Sequence, residues 1–230
     1  MPVGFFTQGI AFELPHPPIP QRTILLLCKV IKKAWELIAE TPPTGFDIHS
    51  AKENEITQIL VEIIECRLRK NGEVDGFNTT LFGKVIRGPE ITNYNKVHPN
   101  KRPDIFFDLK REQYPIRSDQ DGLFVECKPV DGKHLLSPCY CQDGLIRFVS
   151  GDYAWAMQDA MMVGYVSGNY SFEKLFSVLS KEENRNLNTV NHSMIEPSMY
   201  RSNHDRDFMW LEGRGQACRI SVSHLWLTIP

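Results

Sequence analysis

The sequence has no surplus of charge of either sign and no long hydrophobic run. Lys and Arg number 26 and Asp and Glu 28, a net charge of −2, so attraction of the whole molecule to a polyanion is excluded. A nucleic-acid partner would need a local basic patch. The longest apolar stretch, residues 24–31, contains Lys29 and is shorter than the roughly 18 apolar residues of a membrane span, so no membrane helix is expected.

Cysteine is also scarce, with six residues in a chain of 230. A chain of this length buries a core that needs no cross-links, so reduced thiols are expected rather than disulfides. Cys139 and Cys141, with His134 upstream, lack the second ligand pair of a zinc module. No positive segment precedes the first apolar residues, and prolines follow them, so no signal peptide is recognised and a cytoplasmic protein is expected.

The composition is that of a globular protein, with 42% hydrophobic and 23% charged residues and neither repeats nor linkers. We expect a single α/β (α+β mixed) domain over residues 1–230. Its parts are an extended arm and helix (1–49), a core (50–167) and a C-terminal extension that ends in a strand (168–230). Alternating helix and strand patterns in the core predict a central mixed β-sheet flanked by helices.

Apolar periodicity predicts helices over residues 22–40 and 51–69. Ser50 and Glu53 have the spacing of a capping box, which satisfies free backbone donors at a helix start. We therefore expect the second helix to begin beside Ser50.

The second half of the chain is less regular. We expect a helix near residues 153–162, a strand at 163–166, and a short helix that Ser171 caps and that ends at Leu179. Residues 181–215 show no periodicity and are expected to form a long functional loop or an insertion.

Two apolar segments carry charged residues. The single Pro-Asp pair of the chain places Asp104 at the start of the strand 104–109. Glu126 and Lys128 share one face of the strand 123–130, because side chains alternate along a strand. Charges within an apolar strand are costly unless they meet a partner or a metal. The acid-x-Lys spacing recurs twice elsewhere, so the strand context, and not the spacing, favours a site.

This order of an acidic helix, a Pro-Asp strand and a Glu-x-Lys strand resembles the PD-(D/E)XK nuclease superfamily. Its restriction-endonuclease-like core consists of a helix, three strands, a helix and a strand, and the resemblance covers residues 50–167. The resemblance implies that Asp104 and Glu126 bind a divalent metal, with the backbone carbonyl of Cys127 as a further ligand. It also implies that Lys128 orients the attacking water or handles its proton.

Many members of the superfamily add a Glu from the first core helix. Glu55 is our choice for this role, with Glu53 second because the capping box already accounts for Glu53. Oxygen ligands suit Mg²⁺ or Mn²⁺, whereas His and Cys would favour zinc.

The resemblance implies a metal-dependent endonuclease acting on DNA, of restriction or phage-defence type. The near-neutral charge fits a homodimer or delivery by a partner protein. Two alternatives remain: a nucleic-acid-binding or assembly subunit that keeps the fold with little activity, and a structural protein in which Asp104 and Glu126 only pair with Arg102 and Lys128.

Polar and basic side chains around the central motif are weaker candidates for contacts with nucleic acid. They are Lys101, Arg102, Arg147, Tyr153, Gln158, Arg201 and His204. His224, beside Trp226 in the last strand, is expected to be a satisfied core or edge histidine.

Overall fold

The computed structural model describes residues 14–111, 120–196 and 199–230. Within these ranges the α-helices are α1 (Gln21–Glu40), α2 (Glu53–Glu62), α3 (Ile146–Val149) and α4 (Phe172–Leu179). The strands are β1 (Phe82–Arg87), β2 (Ile105–Leu109), β3 (Gly122–Val130), β4 (Asp159–Val166), β5 (Thr189–Glu196), β6 (Met199–His204) and β7 (Ile220–Thr228). Two π-helical segments extend the helices, Ile63–Arg69 after α2 and Leu136–Leu145 before α3.

The described strands form one mixed sheet in the order β1-β2-β3-β4-β7-β6-β5. The pairs β1–β2, β2–β3, β7–β6 and β6–β5 are antiparallel, whereas β3–β4 and β4–β7 are parallel. All eight residues of β4 are buried, as expected for a parallel strand covered on both faces. The predicted mixed sheet flanked by helices is confirmed.

The first two helices pack on one face of this sheet. The apolar stripe of α1 is buried as predicted, and the indole of Trp35 stacks on Tyr165 of β4 with ring centroids 5.6 Å apart. Thr57 of α2 shares a hydrogen bond of 2.9 Å with the Tyr165 hydroxyl. No helix among the described residues is long and apolar enough to cross a membrane.

The N-terminal arm is described from residue 14 onward; residues 1–13 lie outside the described ranges. The arm runs along β4, where the Ile19 N–H donates to Asp159 Oδ2 at 2.8 Å and the His16 N–H donates to the Ala156 carbonyl at 2.8 Å. The described part of the arm therefore lies on the core, as predicted.

The prediction of a loop over residues 181–215 is wrong, because β5 and β6 lie within it. Most residues of β5 are exposed, so this strand has no apolar alternation. In β6 the fully buried side chains include Ser202 and His204, which a hydrophobicity pattern reads as surface.

The prediction of a helix near residues 153–162 is also wrong. Residues 150–158 are irregular and β4 begins at Asp159. The helical residues come earlier, in the π-helical segment and α3, where Pro138 and the wider i→i+5 spacing of the π-helical segment obscure the 3.6-residue period.

Candidate functional site

The Pro-Asp segment and the Glu-x-Lys strand meet at one end of the β2–β3 pair. These strands are antiparallel, and Ile105 pairs with Val125. The same register, extended by one residue, places Asp104 opposite Glu126. The Asp104 Oδ2 atom accepts a hydrogen bond from the Cys127 N–H at 2.8 Å. The two acids are therefore neighbours across the sheet.

Lys128 lies beside Glu126 on the same face of β3. Its Nζ atom is 3.0 Å from Glu126 Oε1, and the Glu126 side chain is only 1% exposed. Gly144 in the π-helical segment permits this arrangement, because a Cβ at that position would lie 3.2 Å from the Lys128 Cγ atom. The helical segment therefore rests directly on the lysine stem.

Arg147 and Asp143 complete the charges around Glu126. The Arg147 Nη1 atom is 3.0 Å from Glu126 Oε1, and Nη2 is 3.0 Å from Asp143 Oδ1. The Asp143 Oδ2 atom is 3.7 Å from Lys128 Nζ. Glu126, Lys128, Asp143 and Arg147 thus form a closed ring of alternating charge, which we call the charged cluster.

Tyr153 anchors the guanidinium of Arg147. Arg147 Nη1 donates to the Tyr153 hydroxyl at 2.8 Å, and this hydroxyl donates to the Arg102 carbonyl at 2.7 Å. The structure therefore brings two of the weaker sequence candidates, Arg147 and Tyr153, to Glu126.

Arg87, at the end of β1, is bound to Asp104. Its Nη1 atom donates to the Asp104 carbonyl at 3.0 Å and to Asp104 Oδ1 at 3.2 Å, while Nη2 donates to Asn54 Oδ1 at 2.8 Å. Because the Cys127 N–H bonds the other oxygen, both carboxylate oxygens of Asp104 have a partner.

The structure exchanges the capping roles that the sequence predicted for Glu53 and Glu55. Helix α2 begins at Glu53, and the exposed Glu55 accepts a hydrogen bond from the Lys52 N–H at 2.8 Å. The capping box at Ser50 does not form, because the Ser50 hydroxyl donates to Asp47 Oδ2 at 2.6 Å. Glu55 is therefore the capping acid, and Glu53 is free to face the site.

Glu53 interacts electrostatically with the site. Burial raises the pKa of its carboxyl, the positive charge of Lys128 lowers it, and the negative charge of Asp104 raises it further. Glu55 instead lines an open cleft of about 900 Å³ that reaches Asp104 and Arg87.

Burial and nearby charges shift the pKa values of Glu126 and Lys128. Burial raises the pKa of Glu126 to about 8, helped by the negative charge of Asp104 and opposed by Lys128 and Arg147. Burial lowers the pKa of Lys128, but Glu126 and Glu53 raise it more, so it lies above the usual value. Lys128 is therefore a charged ammonium at neutral pH.

The two oxygens of Glu126 are used unequally. Lys128 and Arg147 both bond Oε1, whereas Oε2 is buried without a hydrogen-bond partner. An unsatisfied buried oxygen on a carboxylate is costly and marks a place where a ligand would be favourable.

The donor set fits a hard divalent cation better than zinc. Mg²⁺ is usually held by one or two carboxylates and several waters, and Asp104 and Glu126, with its unpartnered Oε2, provide such a pair. Over the described ranges no group of three or more His, Cys, Asp or Glu is arranged to hold a metal ion. The ion would therefore depend on few protein ligands.

Of the residues considered for zinc, His134 is paired with an acid. The His134 ring nitrogen lies 3.0 Å from Asp131 Oδ2, and the thiol of Cys141 is buried while that of Cys139 is partly exposed. All six cysteines are free.

Lys101 and Arg102 lie close to the site but are paired with acids. Lys101 Nζ is 2.8 Å from Asp152 Oδ2, and Arg102 forms an exposed ion pair with Glu90. Of these two residues, only Arg102 lines the open cleft beside Asp104.

The remaining candidates lie away from Glu126. Gln158 donates to the His16 carbonyl at 2.8 Å and so holds the N-terminal arm. Arg201 alternates with Ser202 along β6 and points to the opposite face of the sheet. The expectation for His204 is corrected, because its side chain is fully buried and is not accessible to a nucleic acid.

Sequence reasoning missed Arg87 and Asp143. Asp143 stands four residues before Arg147, the spacing of an ion pair on a helix, and this was the available signal. Arg87 is the last residue of a strand next to the Pro-Asp strand, but the sequence offers no register between them.

A second polar cluster lies on the same face of the sheet. Its members are Tyr140, Ser202, His204 and His224, which we call the histidine cluster, and all four are fully buried. Hydrogen bonds of 3.0, 2.7 and 2.6 Å link Tyr140 to His224, His224 to Ser202, and Ser202 to His204. The prediction that His224 is a satisfied core histidine is confirmed.

Comparisons with protein-family models, curated proteins and solved structures give no match for this chain.

Proposed function

We propose that this protein is a metal-dependent nuclease that hydrolyses phosphodiester bonds of DNA. One observation carries the proposal: the β2–β3 register sets Asp104 opposite Glu126, with Lys128 3.0 Å from Glu126 on the same face. Two acids and a lysine at adjoining strand positions are the residues that the superfamily resemblance assigns to metal binding and water activation.

The connectivity around these strands supports the same proposal. Helix α2 is followed by the antiparallel strands β1, β2 and β3, then by the helical residues 136–149, and then by β4 parallel to β3. This is the order of helix, three strands, helix and strand that the resemblance implies. We therefore propose a restriction-endonuclease-like core over these elements.

Asp104 and Glu126 are the residues that would hold the ion, with Glu53 and the Cys127 carbonyl as further candidates. A bound Mg²⁺ or Mn²⁺ supplies Lewis-acid polarisation of the phosphodiester and lowers the pKa of a bound water. Lys128 orients a water or a phosphate oxygen by donating hydrogen bonds. Its raised pKa keeps it charged, so it stabilises negative charge rather than accepting a proton.

The net charge of −2 bears on the partner. A molecule without overall positive charge gains little from long-range attraction to DNA, so local contacts must position the strand. We propose Arg102, at the rim of the open cleft, as one such contact. A homodimer or a partner protein would supply more, and a restriction or defence role fits such delivery.

A second function is favoured by the ion pairs themselves. Every carboxylate oxygen of Asp104 and Glu126 other than Oε2 is bonded to a cation or an amide. A nucleic-acid-binding or assembly subunit with the same fold and little activity would keep this arrangement. It would show salt-sensitive binding without metal-dependent turnover.

The test is cleavage of supercoiled and linear DNA with Mg²⁺, Mn²⁺ or EDTA. The native protein is compared with Lys128→Ala and Asp104→Ala, and with Lys133→Ala as a matched control. Lys133 is exposed and belongs to another acid-x-Lys pair. Metal-dependent nicking that both site variants lose and the control keeps is the expected result. Full cleavage by Asp104→Ala would overturn the metal-ligand assignment.

A further inference from the structure

Arg147 is the more exposed of the two cations that bond Glu126 Oε1. Of the two cations on Glu126 Oε1, Lys128 has a side chain 10% exposed, whereas the Arg147 side chain is 30% exposed. Arg147 is therefore the outer cation, and its guanidinium separates the buried carboxylate from solvent.

Arg147 also has a second anchor outside the site. Its Nη2 atom is 3.0 Å from Asp143 Oδ1, and the Asp143 side chain is 65% exposed. The guanidinium can leave Glu126 and keep this ion pair. Lys128 also pairs with Asp143, at 3.7 Å, but its side chain is only 10% exposed and it projects from the same strand as Glu126.

We propose that Arg147 is a built-in competitor of the metal ion: it neutralises Glu126 when the ion is absent, and ion binding displaces it toward Asp143. This inference rests on the proposed function, since it concerns the same metal site. A buried carboxylate needs a positive charge beside it, and one tethered to the protein is always present.

The competition is reciprocal. If the ion weakens the Arg147–Glu126 bond, then removal of that bond must strengthen ion binding by the same factor. The displaced guanidinium stays beside the site at Asp143, where it can contact a phosphate. Asp143 therefore favours ion binding indirectly, by holding Arg147 away from Glu126.

The experiment measures the Kd of Mn²⁺ from the free-ion signal in electron paramagnetic resonance, at pH 8.5 under argon. This pH limits competition from a proton on Glu126. We expect Arg147→Gln to bind Mn²⁺ at least about fivefold more tightly than the native protein, the lower end of typical coupling between sites. Arg185→Gln is the control, because Arg185 forms a fully separate exposed ion pair with Glu182, and it should leave the Kd unchanged.

A double-mutant cycle identifies the role of Asp143. Asp143→Asn should weaken Mn²⁺ binding severalfold in the native background and by clearly less in Arg147→Gln, where only the charge of Asp143 beside Lys128 is lost. An equal loss in both backgrounds would mean that Asp143 acts on the ion directly and not through Arg147, and it would overturn the displacement.

The remaining outcomes are distinct. Unchanged or weaker binding by Arg147→Gln, with native binding that Glu126→Gln abolishes, overturns this inference alone. Absence of any binding that depends on Glu126 overturns the inference and the metal site together. If Arg147→Gln does not fold, Arg147→Lys is the substitute. It keeps the charge but cannot bond Glu126 and Asp143 with two separate nitrogens, so it should bind Mn²⁺ more tightly than the native protein. Equal affinity would overturn the inference.

Discussion

The charged cluster and the histidine cluster lie on the same face of the sheet and differ in how they satisfy their polar atoms. Glu126 of β3, Met162 of β4 and His224 of β7 stand in one row across paired strands. Burial opposes the charged form of both titratable groups, raising the pKa of Glu126 to about 8 and lowering that of His224 to about 3. Only Met162 lies between Glu126 and His224 in this row, yet burial shifts the pKa values of these two groups in opposite directions.

The histidine cluster is neutral and complete. The Leu187 carbonyl accepts from His204 Nδ1 at 2.9 Å, so His204 Nε2 accepts from the Ser202 hydroxyl. Ser202 in turn accepts from His224, and Tyr140 donates to His224 Nδ1. A single assignment of protons satisfies every ring nitrogen of His204 and His224, and protonation of either histidine would break one of these hydrogen bonds.

The charged cluster is incomplete. It keeps a buried unpartnered oxygen, and two of its members, Arg147 and Asp143, reach solvent. A complete neutral cluster specifies one packing of the core. On the function proposed above, the feature that marks the candidate site is a buried unsatisfied oxygen beside partly exposed ion pairs, and not polarity alone.

The largest effect should come from removing charge at the site. Glu126→Gln should lower the rate of Mg²⁺-dependent DNA cleavage by at least about a thousandfold, because the charge stabilisation by a metal is worth several kcal/mol. Ser202→Ala, in the other cluster, should leave the rate per folded molecule within about twofold. Cleavage assays at matched folded fractions decide this, and an equal loss in both variants would erase the distinction.

The histidine cluster should matter for the free energy of unfolding, although it does not matter for the cleavage rate. Ser202→Ala leaves an acceptor on His204 and a donor on His224 without partners, at about 1–3 kcal/mol each, so the free energy of unfolding should fall by about 3 kcal/mol. Urea denaturation measures it. Ser193→Ala is the control, since Ser193 is exposed on β5. A loss below about 0.5 kcal/mol would mean that the histidine cluster is not satisfied as described.

The sequence predicted the central residues of the candidate site better than their surroundings. Glu126 and Lys128 could be combined because strand alternation is a local rule, whereas Asp104 joined them through the superfamily resemblance. Glu55 was ranked above Glu53 because the capping box was predicted at Ser50, and a shift of two residues in the helix start gives the capping role to Glu55 instead. Strand β6 was missed because its inward residues are Ser202 and His204, whose burial depends on partners in distant elements.

Two glycines on this face of the sheet allow a finer test of the packing around Lys128. A Cβ at Gly164 would lie 2.6 Å from the Trp226 ring, whereas one at Gly144 would meet the flexible Met162 and Lys128 side chains. Gly164→Ala should therefore lower the free energy of unfolding by about 2 kcal/mol. Gly144→Ala should cost less than about 1 kcal/mol but slow cleavage by moving Lys128. Urea denaturation and cleavage rates measure both, and the reverse ranking would contradict the contacts.

The smallest effect is a difference in pH dependence between the clusters. Burial lowers the pKa of His204 to about 4 and of His224 to about 3, so the unfolded chain binds more protons below pH 6.5. The contribution of His204 and His224 to the free energy of unfolding is complete above pH 6.5 and falls as the pH drops toward 4. Glu126, with its pKa raised to about 8, acts with the opposite sign: its contribution is complete below pH 4.5 and is lost as the pH rises toward 8.

Single substitutions separate the pH dependence of stability that comes from the histidines from the pH dependence that comes from Glu126. From urea denaturation at several pH values, His204→Gln should reduce the loss of stability between pH 6 and 5 by about 1.4 kcal/mol per pH unit. Glu126→Gln should remove a loss of similar size between pH 6.5 and 7.5. His49→Gln, at an exposed histidine, should change neither slope. If His204→Gln and Glu126→Gln shift the profile in the same direction, the two clusters do not oppose burial in the ways that their hydrogen bonds indicate.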